Sequence, residues 1–148
     1  MPLEGEYEPS PWDWVRDQVA EYEASNGERA NTLMDTGLAV IVVSTRGKAS
    51  GRVRKMALMR VEHEGEYALV ASMGGAPENP KWYENVIASP TELEIQDGPE
   101  PHRYVARQVT GDERAVWWER AVAAYPSYAD YQKNTTRIIP VIVATRSD

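Results

Sequence analysis

The chain contains no cysteine, no phenylalanine and only two histidines in 148 residues. Without cysteine there can be no disulfide framework, thiolate zinc site, iron–sulfur cluster or cysteine nucleophile. His63 and His102 alone cannot furnish a three-histidine metal centre from one chain. Long apolar runs are also missing. The longest, residues 38–43, falls far short of the roughly 20 residues that span a bilayer, so no stable membrane insertion is expected. The N-terminus is acidic from Glu4 onward and lacks a basic–apolar leader, which reads as a cytoplasmic protein, with peripheral attachment at the inner membrane face as the alternative. Acids outnumber bases 23 to 16, and the net charge of −7 argues against a nucleic-acid partner. The length suits one domain able to bury about two-thirds of its unfolded surface.

The charge is not spread evenly. No Asp or Glu occurs between Thr36 and Val61, whereas Arg46, Lys48, Arg52, Arg54, Lys55 and Arg60 all fall there. The net of −7 is therefore a +6 island set against a remainder of −13, since −7 minus +6 is −13. A surface patch of that sign attracts anions. The plainer reading is a hairpin whose charged faces are simply solvated.

Local patterns give the elements. Ser10-Pro11-Trp12-Asp13 carries a serine N-cap, a proline at the first helical position and an acid in the first turn. The helix should run to about Ser25 and stop at Asn26-Gly27, with Trp12, Val15, Val19 and Tyr22 as its apolar stripe. Residues 38–45 are apolar and β-branched, the pattern of a strand buried on both faces. Further strands are expected over 52–62, 67–72, 91–96, 104–108 and 138–145, with Pro140 at an edge or bulge of the last. Helices should follow Asn79-Pro80, Thr110 or Asp112, and Ser127. Six mainly antiparallel strands with peripheral helices give an α+β, mainly β, small barrel.

Four segments stand in a fixed order: Gly47 to Gly51, Ser72-Met73-Gly74-Gly75-Ala76, Asn79-Pro80-Lys81-Trp82-Tyr83-Glu84-Asn85, and Tyr125-Pro126-Ser127-Tyr128-Ala129-Asp130-Tyr131. Together they resemble the deazaflavin-dependent nitroreductases and quinone reductases of actinobacteria, over about residues 38–143. The resemblance implies a split β-barrel using coenzyme F420, which passes hydride to quinones, nitroaromatics or activated C=C bonds of enones and lactones. No linker, internal repeat or low-complexity segment appears, so one domain over 1–148 is expected, with residues 1–36 an N-terminal helical segment and 37–148 the barrel and coenzyme groove. The small-molecule substrate would sit beside the coenzyme, and a monomer is favoured over a dimer. Two other readings stay open: an FMN-dependent split-barrel oxidoreductase, and a carrier that binds the deazaflavin without turnover.

The residues fit such a coenzyme. A phosphodiester and several carboxylates call for concentrated cations in an acidic protein, making Lys48, Ser50, Gly51, Arg52, Arg54 and Lys55 the candidates for the anionic tail. Ser72, Met73, Gly74, Gly75 and Ala76 would bring backbone donors and small side chains to the planar ring. Asn79, Trp82 and Asn85 complete the coenzyme set, although Trp82 alone would read as a core residue. Tyr125, Tyr128 and Tyr131 recur every three residues and so lie near one face. A phenol can stack on a substrate ring and donate to the oxygen that gains charge as hydride arrives. Tyr128 with Ser72 is therefore the expected catalytic pair, with Tyr125 and Tyr131 shaping the substrate pocket. Met73 stands where the family often places a lysine, and Ala49 where a second loop cation is common. Arg52 or Lys55 would have to compensate.

Overall fold

A computed structural model describes residues 3–33 and 36–147. The expected bounds 1–148 and 1–36 include residues 1, 2, 34, 35 and 148, which lie outside the described residues. Seven strands form one sheet: β1 (Val40–Arg46), β2 (Val53–Met59), β3 (Glu62–His63), β4 (Glu66–Val70), β5 (Leu93–Gln96), β6 (Pro101–Val109) and β7 (Val141–Arg146). Their order is β2-β1-β5-β6-β7-β4-β3, and each pairing is antiparallel. The helices described are α1 (Asp13–Ala24), α2 (Lys81–Ala88), α3 (Gly111–Ala124) and α4 (Ser127–Lys133).

The seventh strand arises where the expected strand 52–62 breaks at Arg60-Val61. Its two pieces, β2 and β3, adjoin in the chain yet lie at opposite ends of the sheet. The sheet must therefore curl until its ends meet. On one side of the break the Arg60 amide donates to the Ala39 carbonyl at 2.9 Å, and on the other the Ala68 amide donates to the Val61 carbonyl at 2.9 Å. The result is a curled, mainly antiparallel sheet of split-barrel form.

Two apolar layers hold it. Ile41, Val43, Leu69, Leu93, Ile95 and Ile142 pack together with Trp82 and Val86 of α2. On the opposite face Val40, Val141 and Val143 pack with Trp117 of α3 and Tyr128 of α4. Successive strand residues point to opposite faces, so β1 contributes to both layers, and its unbroken apolar run follows from that. Val42 is covered by Val19 and Tyr22 of α1. The Tyr22 hydroxyl fixes α1 further, donating to the Gln96 carbonyl (3.2 Å) and accepting from the Gly98 amide (2.8 Å).

Several boundaries differ for physical reasons. The helix expected at Ser10-Pro11 begins at Asp13, because the Ser10 hydroxyl accepts the Trp12 amide at 3.2 Å in a local turn instead of capping. Of its expected stripe only Val19 and Tyr22 are buried, whereas Trp12 is 58% exposed and stacks on Trp14. The stop at Asn26-Gly27 holds, with φ of 57° and 81°. Pro140 is not at an edge: β7 lies between β6 and β4. The proline precedes the first ladder residue, so its missing N–H costs no sheet bond, and its carbonyl accepts the Ala71 amide at 3.0 Å.

Candidate active site

The segment after β4 makes an unusual turn. Ser72 is right-handed helical (φ −76°, ψ −44°), and Met73, Gly74 and Gly75 follow with φ of 46°, 66° and 83°. Left-handed backbone costs a side-chain-bearing residue on the order of 1–2 kcal/mol, so Met73 is strained, and its side chain is half exposed. Gly75 is required for a second reason. A Cβ there would lie 2.6 Å from the Tyr131 carbonyl oxygen and 3.0 Å from Asn134 Cβ. The turn and α4 thus touch through bare backbone.

The tyrosines cluster at that contact. Tyr125 closes α3, while Tyr128 and Tyr131 belong to α4. Ring centroids lie 4.9 Å apart for Tyr125–Tyr128, 5.9 Å for Tyr125–Tyr131 and 6.3 Å for Tyr128–Tyr131, all edge-to-face. The Tyr125 and Tyr131 hydroxyls share a hydrogen bond of 2.8 Å. That bond, with burial and nearby charge adding to it, raises the Tyr131 pKa to about 12. Tyr128 is only 4% exposed, and its hydroxyl has no hydrogen-bond partner among the described residues. Burial, then its two tyrosine neighbours, pushes its pKa well above the ordinary phenol value. The Tyr128 and Tyr131 phenols therefore hold their protons more firmly than a free phenol, and the Tyr128 hydroxyl is able to donate.

Ser72 is buried. Asn79 does not cap α2; its Oδ1 accepts from Arg137 Nη1 at 2.8 Å. Trp82 is buried in the barrel layer, at 8% exposure. Asn85, further along α2, accepts the Lys48 amide at 2.9 Å. Asn79 stands just before α2 and contacts the arginine that holds the glycine turn, while Asn85 within α2 contacts the basic loop, so this segment links the two.

The basic island is largely paired. Arg46 meets Glu92 at 3.0 Å, Arg52 meets Glu6 at 3.6 Å, Arg54 meets Glu8 at 3.2 Å, Lys55 meets Glu23 at 2.6 Å and Arg60 meets Asp97 at 2.8 Å. Three of these acids belong to the N-terminal segment. There Tyr7 bridges to Val53, the Glu8 amide donates to the Val53 carbonyl, and the Val53 amide donates to the Glu6 carbonyl. This strap caps the free edge of β2. It is imperfectly satisfied, because Glu8 Oε1 is buried without a partner, a cost of about 1–3 kcal/mol. Within the island only Lys48 is exposed with no ion pair for its side chain among the described residues. Arg52 and Arg54 share a strand face that alternation denies to Lys55; Lys55 lies over the Tyr7 ring at 5.0 Å. Ser50 accepts the Arg52 amide at 3.2 Å. Gly51 (φ 72°) leaves open space where a side chain would stand.

One residue of the site escaped the sequence reading. Arg137 donates through Nε to the Ala76 carbonyl (2.8 Å), through Nη1 to the Ala71 carbonyl (3.1 Å) and Asn79, and through Nη2 to the Ser72 carbonyl (2.8 Å). Burial pulls its pKa down. No local signal marks it, since every acceptor lies about 60 residues earlier in the chain. A cavity of about 500 Å³ opens elsewhere, beside Tyr67, Tyr104 and Asp97, and none of the site residues singled out from the sequence lines it. Among the described residues there is no His/Asp/Glu cluster suited to a metal and no helix long and apolar enough to cross a membrane.

Comparison with known proteins bears on this arrangement. The family model described as F420H(2)-dependent quinone reductase matches residues 14–146. An F420H(2)-dependent quinone reductase of Mycobacterium tuberculosis is 32% identical over 130 residues, 86% of each chain. A solved F420-H2 dependent reductase, FDR-A, is 48% identical, with TM-score 0.68, covering 72% of this chain and 93% of its own. A second solved structure, a domain-swapped dimer, is 43% identical, with TM-score 0.71, covering 92% of this chain and all of its own. That last finding corrects the expectation of a monomer, which rested on the habits of a group and on no residue of this chain.

Proposed function

Because the chain belongs to the F420H(2)-dependent quinone reductase family, we propose that this F420-dependent reductase acts on quinones, with nitroaromatics and activated C=C bonds of enones and lactones as further acceptors. Reduced coenzyme F420 supplies the hydride, so no side chain need carry redox chemistry. The observation that carries the reading is the contact of the Ser72–Gly75 turn with α4 through Gly75, which sets the turn assigned here to the coenzyme against the three clustered tyrosines.

The residues present fit the coenzyme. A right-handed residue followed by left-handed ones turns successive amides toward one side; those of Gly75 and Ala76 donate to the Ser72 and Met73 carbonyls, which leaves the Met73 and Gly74 amides for the polar edge of a planar ring. Lys48 is free for an anionic tail. Arg52 and Arg54 can exchange strap carboxylates for those of the tail, because exposed and half-exposed pairs are worth only about 0–1 kcal/mol. Tyr128 holds an uncommitted hydroxyl in an apolar setting, where donation to an oxygen gaining charge is worth more than in water. Tyr125 and Tyr131 hold each other and wall the substrate side. Solvent supplies the proton that completes reduction. We also infer a dimer in solution, supported by the assembly of the 43% identical relative.

The test is anaerobic mixing of protein with reduced F420 and, separately, a quinone, an enone, a lactone and a nitroaromatic. Acceptor-dependent reoxidation is expected, fastest with the quinone. Reoxidation by none of them would leave only coenzyme binding and refute the enzyme reading.

A further inference from the structure

The guanidinium of Arg137 makes four hydrogen bonds, and all four go to one short stretch of chain: the carbonyls of Ala71, Ser72 and Ala76 and the side-chain oxygen of Asn79. None of these acceptors is a carboxylate. No Asp or Glu pairs with Arg137 among the described residues, so four neutral oxygens hold a partly buried cation. An arginine that merely tied a loop to a surface would be expected to find an acid, as Arg46, Arg54 and Arg60 do here.

The main chain of Arg137 is tied the other way. Its carbonyl accepts from Gln132 Nε2 at 2.7 Å, and Gln132 Oε1 accepts the Ile139 amide at 3.0 Å. Gln132 follows Tyr131 on α4. One residue therefore grips the turn with its side chain and the tyrosine helix with its backbone. It does so where Gly75 meets the Tyr131 carbonyl without room for a methyl group. The fork geometry matters, because only a planar guanidinium can offer parallel donors to several carbonyls at once.

We propose that Arg137 is a positioning residue for hydride transfer, fixing the Ser72–Ala76 turn against α4 so that the coenzyme ring and the tyrosine-lined acceptor site meet at working distance. This rests on the reductase reading above. It concerns ring orientation and leaves tail binding to the basic loop. Misplacing reacting groups by about 1 Å can cost on the order of 100-fold in rate, and a loosened turn allows displacements of that size.

The experiment compares wild type, Arg137→Lys and Arg137→Ala, with Lys48→Ala as a second-site reference. Folding is checked by circular dichroism and melting. Three quantities are read on folded protein: the dissociation constant of F420, the absorption spectrum of the bound deazaflavin at saturation, and the single-turnover rate with a quinone. For Arg137→Lys, which keeps the charge and loses the fork, the expected result is a rate at least 10-fold lower, an altered bound spectrum and a dissociation constant within about threefold of wild type. Added methylguanidinium should restore part of the rate of Arg137→Ala. Lys48→Ala should show the converse, weaker binding with an unchanged spectrum at saturation. If Arg137→Lys binds, absorbs and reacts as wild type does, the proposal is overturned. It is also overturned if the only change is a lower melting temperature, which is the mark of a purely structural arginine. Wild type that binds no deazaflavin would instead refute the reductase reading on which the proposal stands.

Discussion

The contact between the glycine turn and α4 can be tested with two neighbouring alanines. Gly74 and Gly75 both have left-handed φ, 66° and 83°, so alanine at either pays about 1–2 kcal/mol for backbone strain. They differ in surroundings. A Cβ at Gly74 meets nothing within 4 Å, whereas one at Gly75 meets the Tyr131 carbonyl oxygen at 2.6 Å. That oxygen is backbone in a helix and cannot swing aside. Either α4 moves or the clash remains, and overpacking of this kind costs about 1–3 kcal/mol more. Gly74→Ala should therefore destabilise by roughly 1–2 kcal/mol and Gly75→Ala by roughly 2–5 kcal/mol. At about 2–4 °C per kcal/mol for a chain of this size, thermal melting should separate the two variants by several degrees. If α4 yields, part of the penalty appears as displacement of Tyr131, and quinone turnover falls in Gly75→Ala beyond its loss in Gly74→Ala. Equal melting temperatures and equal turnover in the two variants would refute the contact.

Three further outcomes follow from the geometry. Tyr128→Phe removes a hydroxyl that has no hydrogen-bond partner among the described residues, so stability should change by less than about 1 kcal/mol while turnover falls about 10-fold or more; turnover equal to wild type removes Tyr128 from the donor role. Arg54→Ala should raise the F420 dissociation constant and flatten its salt dependence; an unchanged constant and slope would place Arg54 outside the tail site. Alkaline titration should show buried phenols ionising late. The Tyr131 pKa is raised to about 12 against an ordinary value near 10, and Tyr22 and Tyr128 are raised by burial. The folded state keeps these protons longer than the unfolded one. Their contribution is thus fully present below about pH 10 and is lost as pH climbs toward 12. Phenolate absorbance and circular dichroism should change together in that window, and ionisation of all the tyrosines near pH 10 in a still-folded protein would contradict the burial described.

What the sequence made legible was what is local. Residues 38–45 read as a doubly buried strand because 38–43 are all apolar and most of the segment is β-branched, and β1 does serve both layers. Asn26-Gly27 read as a helix stop because left-handed backbone suits those residues. The Ser72–Ala76 and Tyr125–Tyr131 motifs were legible as segments, and the structure brings them together at Gly75. What depends on distant parts of the chain was not legible. The strand break at Arg60-Val61 follows from the need of two sheet ends to meet, which no residue there announces. The island of six cations looked like an open clamp because its counter-charges, Glu6, Glu8, Glu23, Glu92 and Asp97, lie outside it in the chain. Arg137 stayed invisible because its four acceptors lie about 60 residues away, and three of them are backbone carbonyls, which have no side-chain identity. Assembly was out of reach for the same reason, since a swapped dimer such as that of the 43% identical relative uses contacts that a monomer would make within itself.

The proposed coenzyme site lies between the glycine turn, α2 and a local patch of positive charge on this acidic chain. The most direct measurement is a fluorescence titration of oxidised F420 with the protein at low and high salt, with FMN titrated in the same buffers. Saturable quenching of F420 that weakens as salt screens the ionic contacts is expected, with markedly weaker binding of FMN. Quenching of FMN but not F420, or no quenching of either at high protein concentration, would contradict the proposed site.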